Sequence, residues 1–159
     1  MSEKTVENAI KEKLTGDTQK NAMDFIVFLR ANEFTLKEHE EHGHSWSVIY
    51  KGIFPVLIHF DVAGFELVID LCTRDFYGDG ILDNDLKEFI WAHTVNCPDG
   101  CDGTTICDRS QKNIKIFGKE YKNICITPLQ ILNPNANDFA QTKKLFLLLK
   151  QNIDDMRTE

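Results

Sequence analysis

The sequence predicts an α+β fold, in which an antiparallel β-sheet of about five strands carries helices packed mainly on one face. Apolar residues recur at helical spacing near both ends of the chain, and they alternate with polar residues in the middle. The links between the alternating segments are short, which favours antiparallel neighbours. The chain has 159 residues, 42% of them hydrophobic, so we expect a single domain over residues 1–159 with one core.

Two helices are expected at the N-terminus. Residues 2–14 form a short, charged helix that Gly16 ends, and residues 1–16 are expected to be peripheral. A second helix, capped by Asp17 or Thr18, belongs to the core. The apolar sides of the two helices are, in chain order, Val6, Ala9, Ile10 and Leu14, then Ala22, Phe25, Ile26 and Leu29.

A strand meander is expected next, after a polar turn at residues 37–44. Its three strands are Ser45 to Tyr50, Pro55 to Asp61 and Phe65 to Cys72, with turns at 51–52 and 63–64. Cys72 is interpreted as a buried core thiol.

The second half of the chain predicts a helix, two strands and a closing helix. The first helix is capped at Asp83 or Asn84 and ends near His93. The two strands span 113–117 and 121–126. Asn133 is expected to cap the closing helix, and residues 154–159 to form a mobile tail. The apolar residues of the two helices are Leu86, Phe89 and Ile90, then Phe139, Leu145, Phe146, Leu148 and Leu149.

Four of the five cysteines lie between residues 97 and 125 and form the leading candidate site: Cys97, Cys101, Cys107 and Cys125. Thiolates at four points of the chain can hold zinc tetrahedrally, although the spacing C-x3-C-x5-C-x17-C is looser than that of the commonest zinc sites. Gly100 and Gly103 free the backbone to wrap around an ion. Between Pro98 and Arg109 there is almost no apolar residue apart from Ile106, so this loop needs a cross-link to fold. A structural zinc site is therefore the leading hypothesis, and spacing does not separate zinc from iron.

Two alternatives for these thiols remain open. One is a redox switch or cysteine enzyme that uses Cys97 or Cys101 with His93 as the neighbouring base. The other is a set of unlinked buried thiols. His93 is also an alternative metal ligand, although a histidine at a helix C-terminus suits the helix dipole without any ligand.

The same region resembles a family of small bacterial proteins. In that family a Trp-x-His helix end leads into a cysteine- and glycine-rich loop and then a segment close to T-I-F-G-K-E-F-D-N-V-C. The matching residues here are Trp91 and His93, the loop from Cys97 to Cys107, and the segment from Lys115 to Cys125. The similarity covers most of the chain after about residue 20. The family's loop is shorter between its second and third cysteines, and the resemblance implies no activity.

Composition narrows the classes of partner. The net charge is −7, whereas a nucleic-acid groove needs a dense basic face. No apolar run approaches a membrane span and the N-terminus has no signal core. We therefore expect a cytoplasmic protein with no nucleic-acid or membrane partner. Reducing conditions there favour metal-bound or catalytic thiols over structural disulfides.

Three weaker candidates complete the sequence-based set. Residues 75–85 echo a calcium loop but lack its bidentate glutamate. His39, His42 and His44 with Glu38, Glu40 and Glu41 suggest a second metal site, although a solvated loop is the simpler interpretation. A small-molecule pocket that uses Trp46, Tyr50 and His59 competes with ordinary sheet packing. The sequence favours a non-enzymatic binding or regulatory domain whose partner is an unknown small molecule or protein, in an unknown oligomeric state.

Overall fold

The computed structural model describes residues 5–39, 44–61, 64–69, 83–96, 112–116 and 119–157, with backbone alone for 54–57, 61, 95–96, 112–116, 121–128 and 156–157. The elements in chain order are α1 (Val6–Lys13), α2 (Gly16–Ala31), β1 (Thr35–Glu38), β2 (Ser45–Tyr50), β3 (Ile53–Asp61), β4 (Gly64–Ile69), α3 (Asn84–His93), β5 (Thr94–Asn96), β6 (Lys112–Ile116), β7 (Lys119–Leu132) and α4 (Ala136–Arg157).

The chain divides into two compact units. The first comprises Met1–Val68 and Ile131–Glu159, and the second Ile69–Gln130. The first unit therefore contains α1, α2, β1 to β3, nearly all of β4, the last two residues of β7, and α4. The second contains α3, β5, β6 and most of β7.

The sheet of the first unit has the strand order β1-β2-β3-β4, with the end of β7 beside β4. Strands β1 and β2 pair antiparallel, as do β2 and β3. Lys51 and Gly52 join β2 to β3 with φ angles of 50° and 81°, as a primed two-residue turn requires. The predicted α+β class, with an antiparallel sheet of about five strands, is confirmed. The packing of helices mainly on one face stays a prediction.

One face of this sheet buries a continuous series of aromatic rings, here called the aromatic core. Neighbouring ring centroids lie 5.1–6.0 Å apart, within the range of favourable tilted and edge-to-face contacts. The series links the sheet to α2 and α4, so these elements share one core. In order of contact it is Trp46, Phe60, Phe65, Phe139, Phe25, Phe146, Phe34 and Tyr50.

The start of α2 lies earlier than expected. The helix begins at Gly16 after Thr15, so the predicted caps at Asp17 or Thr18 are wrong. The Gln19 side chain donates hydrogen bonds to the carbonyl oxygens of Leu14, at 2.8 Å, and Lys11, at 3.2 Å. These bonds hold the end of α1 against the first turn of α2. The chain turns at Gly16, whose φ of 60° is a value that glycine adopts readily. The predicted apolar side of α1 is buried.

The start of α4 is also displaced from its predicted cap. Asn135 Oδ1 accepts from the Asp138 amide at 2.8 Å, and Asp138 Oδ2 accepts from the Asn135 amide at 3.0 Å, which is the reciprocal pattern of a capping box. Asn133 instead bonds β4: its amide donates to the Phe65 carbonyl at 2.7 Å, and its Oδ1 accepts from the Phe65 amide at 3.1 Å. The expected cap at Asn133 is therefore wrong, because β7 continues to Leu132.

The structure corrects three further boundaries. Residues 35–38 form strand β1, where a polar turn was expected from residue 37, and the short strand β5 was not predicted. Helix α4 continues through Asp154 to Arg157, whereas a tail was expected from Asp154. Ile153 is fully buried, and the burial of this apolar side chain stabilises the extra turn.

The second unit contains the helix and strand pair expected around the cysteine segment. Asp83 caps α3 by accepting from the Leu86 amide at 2.7 Å, and Leu86, Phe89 and Ile90 are buried, so these predictions are confirmed. Strands β5 and β6 both pair antiparallel with β7. Among the helices of the described ranges, none has the length and apolar character needed to cross a membrane.

Candidate functional site

The strands that precede and follow residues 97–111 both pair with β7 at the same residue, Ile124. Asn96, the last residue of β5, pairs with Ile124, and Lys112, the first residue of β6, pairs with Ile124 as well. Paired α-carbons in antiparallel strands lie about 4.5–5.5 Å apart. We call these three residues the Ile124 junction. Cys97 follows Asn96 in the chain and Cys125 follows Ile124, so the junction brings together the chain segments that carry the first and the last of the four thiols.

The register of β7 is irregular beside this junction. Thr94 pairs with Leu129 whereas Asn96 pairs with Ile124, so β7 advances five residues while β5 advances two. A second shift lies between β6 and β7. Pro128 lies inside the first irregularity, where a strand tolerates a residue without an amide proton. Bulges of this kind re-aim side chains and are common next to functional sites.

The cysteines themselves are described only in part. The backbone of Cys125 belongs to β7, whereas Cys97, Cys101 and Cys107 lie outside the described residues, as does Cys72. Among the residues that the structure does describe, no group of three or more histidine, cysteine, aspartate or glutamate side chains is arranged to hold a metal ion. The four-thiol site therefore stays a prediction, and the Ile124 junction is the described geometry that bears on it.

His93 ends α3 with its ring held in place. Its Nδ1 lies 2.8 Å from the Phe89 carbonyl oxygen, so Nδ1 carries the proton in that bond. The ring centroids of His93 and Phe89 are 4.5 Å apart. When the ring is neutral, Nε2 is therefore the basic nitrogen. This tautomer suits a metal ligand or a general base, and it equally suits a histidine that caps a helix C-terminus.

Strands β6 and β7 place Lys115 and Lys119 at neighbouring positions of their register. Lys115 pairs with Glu120 and Ile116 pairs with Lys119. The ammonium of Lys119 lies 6.0 Å from the centre of the Trp91 ring, a distance typical of a cation–π contact.

A second polar cluster lies on the face of β1 to β3 opposite the aromatic core, here called the histidine–serine face. His59 Nδ1 is 2.6 Å from Ser45 Oγ, and His39 Nε2 is hydrogen-bonded to Ser47 Oγ. The His39 amide donates to the Ser45 carbonyl at 2.8 Å, so His39, the residue that follows β1, lies beside Ser45 of β2, which pairs with His59 of β3. Both serines are almost completely buried. The alternation of β2 placed these serines opposite Trp46, but only the strand register showed that they meet histidines.

A small-molecule pocket that uses Trp46, Tyr50 and His59 was the weaker alternative to ordinary sheet packing. Trp46 and Tyr50 are 4% and 2% exposed and belong to the aromatic core. His59 projects from the other face, because Trp46 pairs with Ile58 while Ser45 pairs with His59. Ordinary packing, the favoured interpretation, therefore holds for Trp46 and Tyr50, while His59 lies on the opposite face of the sheet.

The histidines near residues 37–44, for which a solvated loop was the simpler interpretation, are described only in part. His39 bonds Ser47 on the histidine–serine face, whereas His44 is exposed at the start of β2, where its carbonyl accepts from the Phe60 amide at 3.0 Å. His42, Glu40 and Glu41 lie outside the described residues. Most of the calcium-like segment, residues 75–82, also lies outside them, and Asp83 serves as the cap of α3.

A charged network at the end of α4 was not predicted. Asp154 accepts from the Tyr50 hydroxyl at 2.8 Å and from the Lys51 ammonium at 2.5 Å. The hydrogen bond from Lys51 holds the pKa of Asp154 below its ordinary value, and the bond from Tyr50 acts in the same direction. The bond to Asp154 raises the pKa of Lys51. The ammonium of Lys150 lies 5.4 Å from the centre of the Tyr50 ring. Through these contacts α4 packs against the end of β2 and the β2–β3 turn.

Comparison of the chain with models of protein families, with curated proteins and with solved structures gives no match in any of the three. The resemblance to the family of small bacterial proteins therefore stays a prediction.

Proposed function

We propose that the chain is a small cytosolic binding or regulatory domain in which Cys97, Cys101, Cys107 and Cys125 hold a structural zinc ion. The observation that supports it is the Ile124 junction. Asn96 and Lys112, which flank residues 97–111, both pair with Ile124 of β7. The next residue of β7 is Cys125, the fourth proposed ligand. Such convergence is what a shared ion needs from thiols that are far apart along the chain.

The energetic argument concerns residues 97–111. Between Pro98 and Arg109 the only large apolar residue is Ile106, so hydrophobic burial offers this segment little stability. Zinc bound by four thiolates contributes on the order of 10 kcal/mol or more in small modules. An ion is therefore sufficient to order the segment between β5 and β6. The domain would then present this segment to a protein or small molecule.

The alternative function is a thiol-based redox switch or cysteine enzyme that uses Cys97 or Cys101. The hydrogen bond of His93 supports it, because Nδ1 donates to the Phe89 carbonyl and Nε2 is then the basic nitrogen of the neutral ring. His93 lies four residues before Cys97 in the chain. If the two side chains meet, a protonated imidazole beside the thiolate would lower the thiol pKa and make the thiolate reactive.

Elemental analysis of protein purified without chelator tests the proposal. We expect about one zinc ion per chain, as a closed four-ligand site requires. Iron at the same stoichiometry would show instead that the four thiolates hold the other metal that suits them. Substitution of Cys97→Ser or Cys125→Ser should lower the zinc content at least several-fold. Cys72→Ser is the matched control, since it removes a thiol that the proposed site does not use, and it should retain the metal.

Two results would decide against zinc. The first is zinc content that stays the same in the Cys97 and Cys125 variants. The second is metal-free protein in which alkylation rates against pH reveal a thiol with a depressed pKa. The second result would support the redox or enzymatic alternative, and a His93→Gln variant should then raise that pKa again.

A further inference from the structure

We draw no further inference here: the strongest candidate, the histidine–serine face of strands β1 to β3, keeps both serine hydroxyls buried against the rings that they bond, so it offers no accessible nucleophile, and the described residues around it supply no third metal ligand.

Discussion

The Gly64→Ala substitution tests the contact between β4 and the residue that follows β7. Gly64 has a φ of 129°, a conformation that residues with a side chain rarely adopt. A Cβ built at this position would overlap Asn133 Oδ1 and would lie 2.9 Å from Asn133 Cγ. That oxygen accepts the hydrogen bond from the Phe65 amide, so a methyl group must displace the side chain that holds β4 in place.

The expected loss of stability has two parts. Backbone strain of alanine at positive φ costs about 1–2 kcal/mol. Displacement of Asn133 leaves the amide of the buried residue Phe65 without its acceptor, which costs about 1–3 kcal/mol. Together these predict a fall of about 2–5 kcal/mol in the free energy of unfolding.

Urea denaturation monitored by far-UV circular dichroism measures this loss. Gly52→Ala is the matched control, because Gly52 also has positive φ, at 81°, but a Cβ there has no atom within 4 Å. It should show the strain alone, about 1–2 kcal/mol. In an Asn133→Gly background, Gly64→Ala should cost no more than the control does. Equal losses for Gly64→Ala and Gly52→Ala in the wild-type background would refute the reasoning.

Three other predictions concern the first unit. Phe25→Ala should lower the free energy of unfolding by about 3–5 kcal/mol, because it opens a cavity in the aromatic core. Val27→Ala, two residues along α2 at a side chain that is 64% exposed, is its control and should change it by less than about 0.5 kcal/mol. Asn135→Ala should cost about 0.5–2 kcal/mol through loss of the α4 capping box, and a loss below this range in urea denaturation would contradict that assignment. Asp154→Asn should lower the Tm at pH 7. Because the folded-state pKa of Asp154 is lowered, its contribution is present above the ordinary value of 3.8 and is lost as the pH falls through the lowered pKa. Melting curves of variant and wild type should therefore converge in acid, and a difference in Tm that persists there would contradict the assignment.

The raised pKa of Lys51 sets the upper pH limit of the Lys51–Asp154 ion pair. Its contribution is complete below the ordinary value of 10.5 and is lost as the pH rises through the folded-state pKa. The pair thus acts across the neutral range, and both side chains are partly exposed, so salt should weaken it.

Local sequence determined those elements whose signals lie within one turn or one strand. Helix α3 was predicted from Asp83 and the spacing of its apolar residues because a cap and a helical face involve neighbours three or four positions apart. Strand β2 and its turn followed from alternation and the Lys51-Gly52 pair for the same reason. The need of residues 98–109 for a cross-link also rests on composition alone, and it stays a prediction.

Tertiary structure decided what depends on residues far apart along the chain. Asn133 looks like a helix cap in sequence, but its partner is Phe65, on another strand. Ser45 and Ser47 look like solvent-side residues of β2 until the register places His59 and His39 beside them. Ile124 has no sequence signal at all, yet both β5 and β6 meet it. Periodicity reports which face a residue occupies, whereas only the pairing of strands specifies which residue lies opposite it, because register is set by packing across the whole sheet.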